Sequence, residues 1–155
     1  MSSDDRDVRA AAMLERLARS LEGVGFPRAM ARAYAALMMA DGEGLSTSEL
    51  VETLGLSRAS ISNTTQFLVS TSLIETYHVR GSRETHYRML KGTWGDLLTR
   101  KFGLMKQIPS IAKEAMDVTD SPLAHERLQE MYEVYSFFGQ EFEKIMVSWN
   151  ERMGR

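Results

Sequence analysis

From Ser57 to Leu68 the chain reads Ser-Arg-Ala-Ser-Ile-Ser-Asn-Thr-Thr-Gln-Phe-Leu, and its polar members are suited to reading base-pair edges. An arginine fork matches guanine O6 and N7, and an asparagine or glutamine amide pairs in the same two-bond way with adenine N6 and N7. On a helix Arg58, Ser62, Asn63 and Gln66 fall to one side, and Ile61, Thr65 and Leu68 to the other. Ser60 and Thr64 are short donors suited to phosphate oxygens, and Ser57, which caps the helix, joins them as a candidate contact. A merely solvated helix would be better served by Glu and Lys than by Ser, Thr and Asn. The composition therefore favours a face shaped for a groove.

A second basic feature lies further on. Arg80 and Arg83 flank Gly81-Ser82, and arginines on both sides of a tight turn suit a narrow minor groove, where the potential is most negative. Lys91, Arg100, Lys101 and Lys106 are equally suited to phosphate contact and to plain solvation. Catalytic readings find little support. His78, His86 and His125 lack metal-ligand spacing on a common helical face. No glycine-rich phosphate loop and no nucleophile elbow occurs. We expect no enzyme, no metal site and no cofactor.

The elements that must hold these residues follow from periodicity and capping. Residues 5–23 form a helix with Met13, Leu14, Leu17, Leu21 and Val24 as its apolar stripe. A second, alanine-rich helix opens at Pro27 and runs to about Ala40. Asp41 to Gly44 is a turn. Ser46 and Glu49 make a capping box for a third helix, which Gly55 ends in the left-handed conformation. With Leu56 as a buried plug, Ser57 then starts the fourth helix, which runs to about Thr71. Two short helices joined by a tight glycine-bearing turn are a helix-turn-helix. Residues 74–79 and 84–89 pair as a hairpin about a type II′ turn at Gly81-Ser82. That register sets Glu75 opposite Arg88 and turns Ile74, Thr76, His78, Thr85, Tyr87 and Met89 towards the core. A helix from Trp94 to about Met116 is interrupted at Pro109. The last helix runs from about Leu123 to Arg152, roughly 45 Å at 1.5 Å per residue. It outreaches a small domain, so its apolar stripe needs something beyond its own core.

The fold class is thus mainly α with a small β-hairpin wing. The expected organisation is N-terminal helices over 1–44, a winged helix-turn-helix over 45–91, and a C-terminal helical region over 92–155, with the two flanking regions serving dimerisation and support. Hydrophobic residues are 43% and charged residues 26% of the chain, as in ordinary globular proteins. There is no cysteine, which excludes disulfides, thiolate zinc sites and cysteine redox sensing. The polar, acidic first residues carry no signal-peptide core, and no apolar run is long enough to span a bilayer. We therefore expect a cytoplasmic protein. The net charge is −2, but it is unevenly spread. Residues 45–91 hold five basic and four acidic residues, a net of +1, whereas residues 113–155 hold five and nine, a net of −4. Local charge, not the total, sets attraction to phosphate.

Several segments together resemble the MarR superfamily of bacterial transcriptional regulators, and within it the GbsR-like branch, which includes mycobacterial regulators of membrane efflux transporters. They are Gly25-Phe26-Pro27-Arg28 with Ala31-Arg32, Leu45 to Leu50, Leu56 to Ser62, and Val79-Arg80-Gly81-Ser82-Arg83 with Tyr87-Arg88. The likeness spans residues 10–115 and fades in the last helix. It implies a homodimer with interlocked terminal helices, each subunit offering one winged motif to double-stranded DNA. Arg58, Ser60, Ser62 and Asn63 would enter the major groove, with Arg80 and Arg83 on the wing. It also implies a pocket for a small apolar effector. Met38, Met39, Met105 and Tyr132 are the candidates to line it, although methionine also serves simply to fill core gaps. The expected activity is that of a ligand-responsive repressor on a pseudo-palindromic operator. The alternative is a winged-helix module for protein interaction in a larger assembly, which the near-neutral head supports.

Overall fold

The computed structural model describes residues 3–154. Seven helices and three short strands follow in the order α1 (Ser3–Gly23), α2 (Arg28–Met38), β1 (Leu45–Ser46), α3 (Thr47–Leu54), α4 (Arg58–Ser70), β2 (Ile74–Tyr77), β3 (His86–Met89), α5 (Thr93–Met105), α6 (Ile108–Asp117) and α7 (Pro122–Met153). They divide into two compact units, one up to Thr93 and one from Trp94.

In the first unit α2 is the central element. Its alanines Ala31, Ala33, Ala35 and Ala36 are buried, letting α1, α3 and α4 approach closely. Tyr34 is wholly buried, stacks on Phe26, and bonds through its hydroxyl to Thr93 Oγ1 at 3.3 Å. Burial raises the pKa of its phenol, and the Thr93 bond partly offsets that rise. Of the stripe expected on α1, Leu14 and Leu21 are buried while Met13 and Val24 are exposed. Arg32 joins three helices: it pairs with Glu15 of α1 at 2.7 Å and donates to the Leu54 carbonyl at the end of α3 at 2.9 Å. A cation at a helix C-terminus satisfies carbonyls that the helix leaves unbonded. Because α2 packs on α3, α4 and β3 as well as on α1, the boundary expected at residue 44 falls inside this unit.

The wing is a three-stranded antiparallel sheet in the order β1-β3-β2. Two-residue β1, which the sequence reading passes over, pairs Leu45 with Tyr87 and Ser46 with His86. The register of β2 on β3 is the expected one, with Glu75 opposite Arg88. Ile74 and Tyr87 face the core as expected. On the other face Arg88 binds Glu75 at 2.8 Å and Glu43 at 3.3 Å and lies over the Tyr77 ring.

The hairpin tip corrects the sequence reading. The ladder stops at the Tyr77–His86 pair, so Arg80 and Arg83 lie in a loop and are not cross-strand partners. The turn is Val79 to Ser82, closed by the Ser82 N–H on the Val79 carbonyl at 3.0 Å. Gly81, with φ of 87°, occupies its third position, as a type II turn needs, and not the second position of a type II′ turn. Just before His86, Thr47 sends both its N–H and its hydroxyl to the Thr85 carbonyl, at 3.0 and 3.3 Å, which extends the pairing of β1 with β3.

In the second unit α5 and α6 both pack on α7. The expected interruption occurs at 106–107, and Pro109 sits in the first turn of α6, where a missing N–H costs nothing. Along α5 and α7 in antiparallel order, Gly95 meets Trp149, Thr99 meets Met146, and Phe102 stacks on Phe142 with ring centroids 3.6 Å apart. Lys106 pairs with Glu143, whose carboxyl is thereby held below the ordinary glutamate range. From Trp94 onward only Ala112 is buried among the described residues. No helix among the described residues is long and apolar enough to cross a membrane.

Candidate nucleic-acid interface

The two helices of the motif are set by their caps. Ser46 accepts the Glu49 N–H, and Glu49 accepts the Ser46 N–H at 2.6 Å, which completes the capping box. That backbone bond holds the Glu49 carboxyl below its ordinary pKa. Gly55 ends α3 with φ of 64°. Ser57 then caps α4 by accepting the Ser60 N–H at 3.1 Å, so the Ser57 hydroxyl is engaged as a cap. Leu56, between the helices, is half-buried.

α4 turns Ile61, Thr65 and Leu68 inward, all wholly buried. Thr64 goes with them at 5% exposure. The phosphate role expected for Thr64 is therefore corrected: its side chain belongs to the core. Arg58, Ala59, Asn63, Gln66 and Ser70 are exposed, and Ser60 and Ser62 are half-buried beside them. One apolar ring joins this surface, Phe67, at 48% exposure. At the wing tip Arg80 and Arg83 are both exposed.

Arg58 is not a loose side chain. Its Nη2 donates to Ser48 Oγ at 2.9 Å and to Glu84 Oε1 at 3.3 Å, and the Ser48 hydroxyl donates to that same carboxylate oxygen. Glu84 is held below the ordinary glutamate range, first by the Ser48 hydroxyl and then by Arg58. The root of the wing is thus tied to the N-terminal ends of α3 and α4. Ser48 and Glu84 are missed by the sequence reading, since positions 48, 58 and 84 meet only once the wing has folded back. Phe67 was legible as a lone aromatic in a polar run.

The four residues expected around an effector pocket are divided between the units. Met38 and Met39 end α2, with Met38 exposed. Met105 joins Phe102, Tyr135, Phe138 and Phe142 around a cavity of about 10 Å³, and Tyr132 is half-buried on α7. A cavity of that size holds about one water molecule. Of the basic residues after the wing, Lys106 is taken by Glu143. Among the described residues no group of three or more His, Asp or Glu side chains is placed to hold a metal ion.

Residues 92–152 match the family of MmpR5-like MarR family transcriptional regulators. This match covers the C-terminal helices, where the resemblance read from the sequence was fading, and not the helix-turn-helix that carried it. A search of curated proteins gives no match. Among solved structures, a transcriptional regulator superposes with a TM-score of 0.71 at 20% identity, covering 92% of this chain and 99% of its own. MepR, a transcription regulator of the Staphylococcus aureus multidrug efflux pump MepA, gives 0.42 at 15% identity, covering 99% and 91%. A MarR transcriptional regulator from Methanosarcina mazei Go1 gives 0.40 at 14%, covering 89% and 99%. The chain therefore has a winged-helix fold shared with that first transcriptional regulator and, over residues 92–152, is similar in sequence to MmpR5-like MarR family transcriptional regulators.

Proposed function

We propose that this chain is a MarR-family transcriptional regulator, of the GbsR-like branch, that acts in the cytoplasm as a homodimeric, ligand-responsive repressor. The observation that carries the DNA-binding reading is the two-sidedness of α4. Its inner face is fully committed to the core, while Asn63, Gln66 and the N-terminal Arg58 stand exposed on the outer side, next to a wing tip bearing Arg80 and Arg83. In helix-turn-helix proteins the second helix enters the major groove and its early residues reach base edges.

The dimer reading rests on the second unit. Leu104, Ile111, Val118, Phe137 and Ile145 are all exposed by more than half, and a helical layer with one buried side chain has no core of its own. A second copy would supply the missing layer and set the spacing of two reading heads for a pseudo-palindromic operator. An apolar effector would act by binding better to a spacing that does not fit the operator; without that differential affinity it would shift nothing.

Fluorescence anisotropy with DNA from upstream of the chain's own gene tests the core of this reading. The expected result is tighter binding than to random DNA at matched salt. Equal affinity for both DNAs would overturn it, and a stable monomer that ignores DNA but captures a protein would favour the interaction-module reading. Replacing Arg80 and Arg83 with alanine should weaken binding and flatten its salt dependence by about one unit of log–log slope per lost phosphate contact. An unchanged slope would remove the wing tip from the phosphate contacts.

A further inference from the structure

Glu84 is a carboxylate at the root of the wing, on the surface that DNA would cover. It is costly there, because it repels phosphate and neutralises Arg58. Yet it is held in place from several sides. Its N–H donates to Ser82 Oγ at 3.1 Å, its carbonyl meets His86 Nδ1 at 3.1 Å, and its side chain takes the Ser48 hydroxyl and the Arg58 guanidinium.

The geometry fixes what is left of Arg58. A guanidinium has five N–H donors, and its two fork-shaped edges both include Nη2. The two acceptors of Arg58 Nη2 are hydrogen-bonded to each other. They therefore lie close together against that nitrogen. Nε and Nη1 bond to neither of them, on a side chain that remains 65% exposed. The donors left on an exposed arginine that is held through one nitrogen can still serve guanine O6 and N7.

We infer that Glu84 is the positioning residue of Arg58, and that with Ser48 it aims one edge of the guanidinium at a guanine while discouraging contact with phosphate. This rests on the DNA-binding reading above. A free arginine would settle on whichever phosphate is near, which adds affinity for every sequence alike. An arginine held by a carboxylate gains less from phosphate and keeps its two-bond contact for a base. Selectivity is thereby obtained by weakening the wrong complex as well as by strengthening the right one.

The experiment uses the full-length protein and an operator selected from random DNA by the wild type. Each guanine of the operator is replaced in turn by 7-deazaguanine, which lacks the N7 acceptor. The wild type should lose at least about fivefold in affinity at one guanine per half-site, within the range of a lost bidentate contact. Arg58→Ala should be insensitive at that guanine. Glu84→Ala should lose most of the sensitivity, bind random DNA several-fold more tightly, and show a steeper salt dependence. Glu84→Gln, which keeps an acceptor but no charge, should retain part of the 7-deazaguanine penalty while gaining the random-DNA affinity. Thermal melting of each variant checks that the fold is intact, and should Glu84→Ala not fold, Glu84→Gln and Ser48→Ala carry the comparison. Selective binding by the wild type with the same penalty and the same operator-to-random ratio in the Glu84 variants would overturn the role of Glu84 alone. Absence of selective binding by the wild type would overturn the DNA-binding reading beneath it.

Discussion

At the scale of single residues, two pairs of positions show how little of a side chain's role is carried by its type. Gly44 has an ordinary backbone conformation, so no turn demands it. A Cβ there would overlap the Tyr87 carbonyl oxygen and come within 2.9 Å of Arg88 Cβ. Both neighbours belong to β3 and cannot swing aside. Gly44→Ala should destabilise the fold by about 1–3 kcal/mol, as overpacking commonly does, whereas Gly42→Ala, in open space, should be close to neutral. Urea denaturation midpoints of the two variants make the comparison, and equal midpoints would contradict the close approach of β1 and β3. Asn63 and Thr64 are a second pair. Adjacent and both polar, they are both candidate DNA contacts in the sequence, yet one is exposed and the other buried. Asn63→Ala should reduce operator affinity with little effect on stability. Thr64→Asp should do the reverse by placing an unpaired carboxylate in the core; anisotropy and thermal melting on both variants separate the two effects.

At the scale of elements, the helix-turn-helix depends on two helix starts. The Ser46 hydroxyl is buried and caps α3, so Ser46→Ala should cost about 1 kcal/mol, the usual loss for a cap. The same box predicts a pH dependence. Glu49 has a folded pKa below its ordinary value, so its contribution is present above the unfolded pKa and is lost as pH falls through the folded one. The stability difference between wild type and Glu49→Gln should be constant near neutrality and shrink on acidification through the glutamate range. A difference that grew towards low pH would contradict the assignment. The wing shows the opposite case, an element whose end its own pattern does not give. The sequence pattern finds the β2–β3 register, because alternation of core and solvent residues penalises a one-residue slip. It does not find that the ladder stops at Tyr77–His86, nor that Thr85 bonds instead to Thr47 of α3.

At the scale of the whole molecule, α7 is 32 residues long, about 48 Å at 1.5 Å per residue, and none of its residues is buried. A helix gains most of its stability from packing an apolar face. Sedimentation should therefore show a dimer at micromolar concentration. Ile145→Glu, an exposed apolar position on the face proposed for the second copy, should shift it towards monomer and lower operator affinity together with the melting temperature. A protein that sediments as a monomer in its unmodified form, yet melts cooperatively at an ordinary temperature, would remove the dimer from the argument.

What the sequence determined by itself is local. Capping residues bond within three positions, so Ser46/Glu49 and Gly55-Leu56-Ser57 fix the ends of α3 and α4 whatever lies around them. Helical periodicity likewise fixes which face of α4 must be apolar, and two-residue alternation fixes the wing's register. The tertiary structure decided every contact that joins distant parts of the chain: the short strand β1 against β3, the burial of Thr64, and the Ser48–Arg58–Glu84 cluster. The last of these rests on partners 36 and 26 residues from Glu84, and no periodicity in the chain encodes such a meeting. The helix-turn-helix was legible because it is built from short-range rules. The device that holds its arginine was not, because it exists only where the wing returns to the two helices.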